Sequence, residues 1–154
     1  MEEALNNAVQ ELKRVDHLFY VSLKYTRTVD MMRHMIERLI STIDFGTESL
    51  LKHAKENKLI ASIPSNAGLR SELVKKVYHD NQEIISYINF YMKLRKILRA
   101  DHSKREEYRR HVTMISNVGG EIVEVSIDTL KEDYETTKNF IKLVKKTLYG
   151  EEES

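Results

Sequence analysis

The stretch LFYVSLKYTRTVDMMRHMIERLISTIDFGTESL, residues 18–50, decides the fold. Apolar or neutral residues recur in it at seven-residue intervals along two rows. One is Leu18, Tyr25, Met32, Leu39 and Gly46; the other is Ser22, Val29, Ile36, Ile43 and Leu50. Steps of three and four keep both rows on one side of an α-helix, the packing seam of a bundle or coiled coil. Met31, Met35 and Ile40 widen the stripe, as expected of a helix touching several neighbours, and Lys24, Arg27, Arg33, His34, Glu37 and Arg38 supply its wet face. Carried into the Lys55–Lys58 region, this helix would be about 60 Å long. A compact domain of this size is only about 40 Å across. A bend, with Gly46 the obvious place, resolves the conflict; mid-helix glycine costs about 1 kcal/mol relative to alanine, so its presence points to a kink or a close contact. Oligomerisation resolves it equally well.

Composition agrees with long helices. The 154 residues are 41% hydrophobic and 32% charged, with one proline and five glycines to interrupt them. That length suffices for one domain with a real core and no cross-links. Cysteine is absent, which removes disulfides, thiolate metal sites and cysteine nucleophiles and suits a reducing compartment. No apolar run approaches the roughly 20 residues of a membrane span. The acidic start Met1-Glu2-Glu3-Ala4 is unlike a secretory leader, so a cytoplasmic protein is expected. A formal net charge of +1 gives no global attraction to nucleic acid, and any electrostatic specialisation must be local.

Residues 2–15 form a first amphipathic helix with Leu5, Ala8, Val9, Leu12 and Val15 on one face. Asp16 can cap a new helix there, or the helix runs straight on. The segment Ile63-Pro64-Ser65-Asn66-Ala67-Gly68 is the clearest interruption. A helix resumes near Leu69, with Leu69, Leu73 and Val77 inward. Asp80 and Glu83 have the spacing of a capping box for a helix over about 82–99, which presents Ile84, Tyr87, Ile88, Tyr91, Leu94 and Leu98. The period then changes to two at His111–Ile115 and Ile122–Ile127, around the turn Asn117-Val118-Gly119-Gly120, which predicts a β-hairpin. Ser126 or Asp128 caps the last helix, whose seam is Ile127, Leu130, Tyr134, Thr137, Ile141, Val144 and Leu148. Gly150 ends it, and 151–154 form a frayed acidic tail.

The expected fold class is therefore all-α: an up-and-down bundle of four to five long helices in a single domain over 1–150, with a small β-hairpin before the last helix.

Charge is least even between Lys93 and His111. Lys93, Arg95, Lys96, Arg99, Lys104, Arg105, Arg109 and Arg110 face only Asp101, Glu106 and Glu107, eight positive charges against three. Tyr87, Tyr91 and Tyr108 lie close by in sequence. Guanidinium groups pair with phosphates and tyrosines stack on bases, so arginines with aromatics suit an RNA contact. A solvated helix end, its cations favoured by the helix C-terminus near Arg99, explains the same residues structurally. The candidate anion- or nucleic-acid-binding residues are Lys93, Lys96, Arg99, Tyr108, Arg109 and Arg110.

Within this segment, Arg105-Glu-Glu-Tyr-Arg-Arg-His111 places a histidine six positions after an arginine. Together with the up-and-down helices, and with its place before a final long helix, this motif resembles the HEPN family of small helical-bundle proteins. The resemblance implies a metal-independent endoribonuclease in which His111 handles protons and Arg105 holds the scissile phosphate. Imidazole beside a permanent cation is chemically suited to that work. Many HEPN-like proteins lack activity and instead bind nucleotides or partners.

Asp30, His34 and Glu37 share one helical face and could offer ligands to a metal, but Arg33 and Arg38 alternate with them, so ion pairing is the simpler account. No metal site is assigned and no cofactor is expected. No Ser-His-Asp arrangement, glycine-rich phosphate loop or dinucleotide fingerprint is visible. Met31, Met32 and Met35 read as core filler or a soft dimer surface. Two functions remain open. One is a non-catalytic, homodimeric bundle that binds RNA or an acidic protein through 93–111, and the other is an HEPN-like nuclease using Arg105 and His111.

Overall fold

Between Tyr25 and Val29 the backbone leaves the helical track. Thr26 (φ −132°, ψ 90°) and Thr28 (φ −118°, ψ 157°) are both extended, as β-branched residues of low helix propensity permit. Thr28 then caps the next helix, its Oγ1 accepting the Met31 N–H at 3.2 Å. The single helix expected from Leu18 is thus two helices, and the length conflict disappears. The second, α2 (Val29–Glu56), has 28 residues and is about 42 Å long. The first, α1 (Glu2–His17), does not stop at Asp16. It continues through a π-helical turn, Leu18–Ser22, and a last α-turn, Leu23–Tyr25. Asp16 caps nothing; its carboxylate accepts a bond from the Tyr134 hydroxyl at 2.8 Å.

The π turn moves the seam on by one residue. Leu23, not Ser22, is buried, and Tyr25, expected in the seam, is 79% exposed. From Val29 onward the seam is as expected, with Val29, Met32, Ile36, Leu39, Ile43, Gly46 and Leu50 all buried. Met32 and Met35 are enclosed and Met31 packs against the core. Both grounds for expecting a dimer, an overlong helix and a soft methionine surface, therefore fall away.

A computed structural model describes residues 1–150, and the expected acidic tail, 151–154, lies outside the described residues. Three further helices are α3 (Ala67–Val77), α4 (Gln82–Arg99) and α5 (Ile127–Tyr149). Cross-helix contacts give their directions. Ser49 bonds to the Met1 carbonyl, and Arg38 bonds to Glu11, so α1 and α2 are antiparallel. Asp44 meets Tyr91, and Arg33 meets the Leu98 carbonyl, so α2 and α4 are antiparallel. Phe19 stacks on Tyr134, and Tyr87 packs on Phe140, seating α5 against α1 and α4. Gly46 marks a close contact: a Cβ there would lie 2.7 Å from the Phe140 ring and 3.0 Å from Ile141 Cδ1.

The described chain is not all-α. It contains a three-stranded antiparallel sheet, β1 (Asp101–Arg105), β2 (Thr113–Val118) and β3 (Glu121–Ser126), before the last helix. The β2–β3 hairpin turns on Gly119 (φ 59°) and Gly120 (φ 89°), where positive φ favours glycine. His111, expected to open the hairpin's first strand, lies in the turn before β2. β1 has no counterpart in the expected hairpin. Its five residues are all exposed, so no alternation of apolar residues marks it. Its charged edge opposes pairing with other chains.

Helix ends and faces differ in detail from expectation. Asn81, not Asp80, caps α4 by accepting the Ile84 N–H at 3.1 Å. On α3 Ser71 and Val74 are buried and Leu73 packs against the core as expected, while Leu69 is exposed. Ser126 caps α5 as expected, accepting the Thr129 N–H at 3.1 Å, and Gly150 ends that helix with φ 88°.

Candidate functional site

The loop from Glu106 to Val112 joins β1 to β2 and folds back onto the break before α2. Two bonds hold it there. The Tyr108 N–H donates to the Arg27 carbonyl at 2.7 Å, and Glu107 Oε2 accepts the Val29 N–H at 3.0 Å. Glu107 thereby occupies a free donor at the N-terminus of α2, where a carboxylate also meets the positive end of the helix dipole. Its other oxygen lies 3.4 Å from Lys104 Nζ. Glu106 (φ 54°) and Tyr108 (φ 66°) take left-handed backbone to make this turn, a conformation that costs non-glycine residues about 1–2 kcal/mol.

A cleft of about 540 Å³ opens between this loop, the outer face of the sheet and the start of α5. Strand alternation sets the outer face. Arg105 pairs in register with Thr113, and Thr113 with Ser126. Arg27, Arg105, Arg110 and His111 line the cleft together with three carboxylates, Glu106, Glu124 and Asp128. The two residues singled out by the HEPN resemblance, Arg105 and His111, thus line the same cleft. Arg105 is not free, however: its guanidinium reaches across β2 to Glu124 at 2.8 Å.

The other candidates divide. Arg110 lines the cleft, whereas Arg109 and the 77%-exposed Tyr108 belong to the same loop without lining it. Lys93, Lys96 and Arg99 lie on α4, outside the cleft. Lys93 is close enough to Asp133 to draw its carboxyl downward, but burial wins and pushes Asp133 up to about 6. Arg95 packs its guanidinium 5.6 Å above the Tyr91 ring, with its Nε buried and its Nη1 donating to the Tyr91 hydroxyl at 3.4 Å. Among the described residues, no carboxylate pairs with Arg27, Lys96, Arg99, Arg109 or Arg110.

Sequence reasoning missed Arg27, which it placed mid-helix on the wet face, and the contribution of Asp128 and Thr129 at the start of α5. The signal for Arg27 was present in Thr26-Arg27-Thr28-Val29, where three of the four residues are β-branched and of low helix propensity. On the face of Asp30, His34 and Glu37 the expected pairing with arginine is not what forms: Arg33 bonds to the Leu98 carbonyl and Arg38 to Glu11, while His34 Nδ1 lies 3.8 Å from Glu37. Among the described residues, no group of three or more histidines or carboxylates could hold a metal ion, and no helix is long and apolar enough to cross a membrane. In comparisons with known proteins, the chain matches no family model, no curated protein and no solved structure.

Proposed function

We propose that this protein binds RNA, and that the cleft beside the 106–112 loop receives the phosphate backbone. One observation carries the reading. Arg27, from the break between α1 and α2, and Arg110, from the loop, meet at one cleft from distant parts of the chain, with no carboxylate partner among the described residues. Cations without such partners, placed by the fold at an open groove, give phosphates charge-assisted contacts. Arg109 and the exposed ring of Tyr108 extend the same surface. The test is fluorescence anisotropy of a labelled single-stranded RNA with wild type and Arg110→Glu. The expected result is weakening of tenfold or more with an unchanged circular dichroism spectrum. Equal affinity, or no wild-type binding to RNA alongside capture of an acidic protein, overturns it.

A second reading is favoured by the presence of Arg105 and His111 in the lining of one cleft. In an HEPN-like endoribonuclease, His111 would move the proton and Arg105 would hold the scissile phosphate, after exchanging Glu124 for it. Cleavage of RNA without metal, abolished by His111→Ala while binding persists, supports that reading. Intact RNA after prolonged incubation with wild type removes it and leaves binding alone.

A further inference from the structure

The exposed face beside the π-helical turn is unlike the rest of the surface. Tyr20 is 57% exposed, Val21 43% and Tyr25 79%, and no residue of Leu18–Ser22 is buried. Three large apolar side chains in six positions facing water usually mark a contact surface, and π turns recur at functional sites. A hollow of about 210 Å³ lies here. Phe19, Leu23 and Ile127 supply its apolar lining, and Tyr20, Lys24 and Arg27 complete it. The Phe19 and Tyr20 rings meet at 5.5 Å, tilted by 47°, and Phe19 in turn stacks on Tyr134, so the platform is backed by the core.

Arg27 and Ile127 line both this hollow and the cleft beside the 106–112 loop. The two are therefore neighbours joined at a guanidinium: the hollow pairs aromatic rings with Lys24 and Arg27 and has no carboxylate in its lining, and the cleft adds Arg110, which has no carboxylate partner among the described residues. We infer that the hollow takes an unpaired base of a single-stranded nucleic acid, stacked on Tyr20, whose backbone phosphates continue past Arg27 into the cleft. This rests on the RNA-binding reading and narrows it. Duplex would be excluded, because its bases are stacked on one another and cannot enter, whereas single strands offer an aromatic face at every nucleotide. Charge complementarity selects this occupant over a second copy of the chain, which would bring another Lys24 and Arg27 against the same cations.

The experiment compares three probes of equal length by anisotropy competition: a single-stranded oligouridylate, an abasic strand and an RNA duplex. Wild type should prefer the oligouridylate to the abasic strand by about tenfold or more, since stacking one base on an aromatic ring is worth that much. Tyr20→Ala should erase the preference and leave abasic binding unchanged, and Tyr20→Phe should restore it. Equal affinity for oligouridylate and abasic strand, or a preference that survives Tyr20→Ala, overturns the inference while leaving phosphate binding standing. Failure of wild type to bind either strand overturns both. Self-association abolished by Tyr20→Ala, with no base preference, assigns the face to a second copy and likewise overturns it.

Discussion

Glu107 accepts a hydrogen bond from the Val29 N–H at 3.0 Å, although the two lie 78 positions apart in the chain. That bond ties the loop of the candidate site to the first turn of the central helix. The position of Arg27, two residues earlier, is fixed by the same junction, because its carbonyl receives the Tyr108 N–H. The cleft exists because the long helix breaks there.

Removing that tie should loosen the junction. Glu107→Ala is expected to cost about 1 kcal/mol, the usual effect of losing a carboxylate at a helix N-terminus. It should also speed hydrogen exchange at the Val29 amide. Glu106→Ala, which removes no cap, should change stability by less than about 0.5 kcal/mol. Equal effects in thermal melts of the two variants would show that the bond does not hold the loop.

Gly46 should resist substitution despite its helical position. Alanine normally gains about 1 kcal/mol over glycine in a helix, but here its Cβ would press into Phe140 and Ile141. Overpacking of this kind costs about 1–3 kcal/mol. Gly46→Ala should therefore lower Tm, by about 2–4 °C per kcal/mol lost. A higher Tm would mean that α2 and α5 are not in such close contact.

Asp133 should make stability fall as pH rises. Burial pushes its carboxyl up to about 6, from 3.8, against the attraction of Lys93. Between those values the folded chain holds a proton that the unfolded chain has released, so the slope of stability with pH is negative there. Its contribution is complete below about pH 4 and lost above about pH 6. Partial exposure limits the effect to about 1–2 kcal/mol. Chemical denaturation of Asp133→Asn at pH 4, 5, 6 and 7 should show that component removed and the variant more stable than wild type at pH 7. An unchanged difference at every pH contradicts the assignment.

Glu124 should restrain the cleft. It holds Arg105 at 2.8 Å, and both side chains are about half exposed. Exposed pairs of this kind are worth about 0.2–1 kcal/mol. Glu124→Gln should hardly alter Tm yet strengthen RNA binding by about two- to fivefold, because Arg105 becomes available. Weaker binding would mean that the carboxylate itself contributes to recognition.

The helical seam was legible where packing alone decides it, from Val29 to Leu50 and through α5, because burial imposes a period that the residues must follow. It failed at Ser22 and Tyr25, where a π turn adds one residue per turn and shifts the buried face without a marker in residue type. β1 was invisible for a different reason. Asp101–Arg105 pairs through backbone alone and buries no side chain, so nothing in its residue types alternates. At the site, local charge density led to Arg105, Arg110 and His111, which share the cleft. It could not reveal Arg27 or Glu124, which reach the cleft through tertiary folding. Nor could it separate the α4 cations from those of the loop.

The most direct test of phosphate binding by Arg27 and Arg110 is the salt dependence of affinity for single-stranded RNA, measured for wild type and for the double variant Arg27→Ala, Arg110→Ala. Each phosphate contact on a single strand contributes about 0.7 to the slope of log K against log salt. The variant should therefore bind more weakly, with a slope shallower by about 1.4. An affinity and slope indistinguishable from wild type would show that RNA, if bound, does not meet this protein at the cleft.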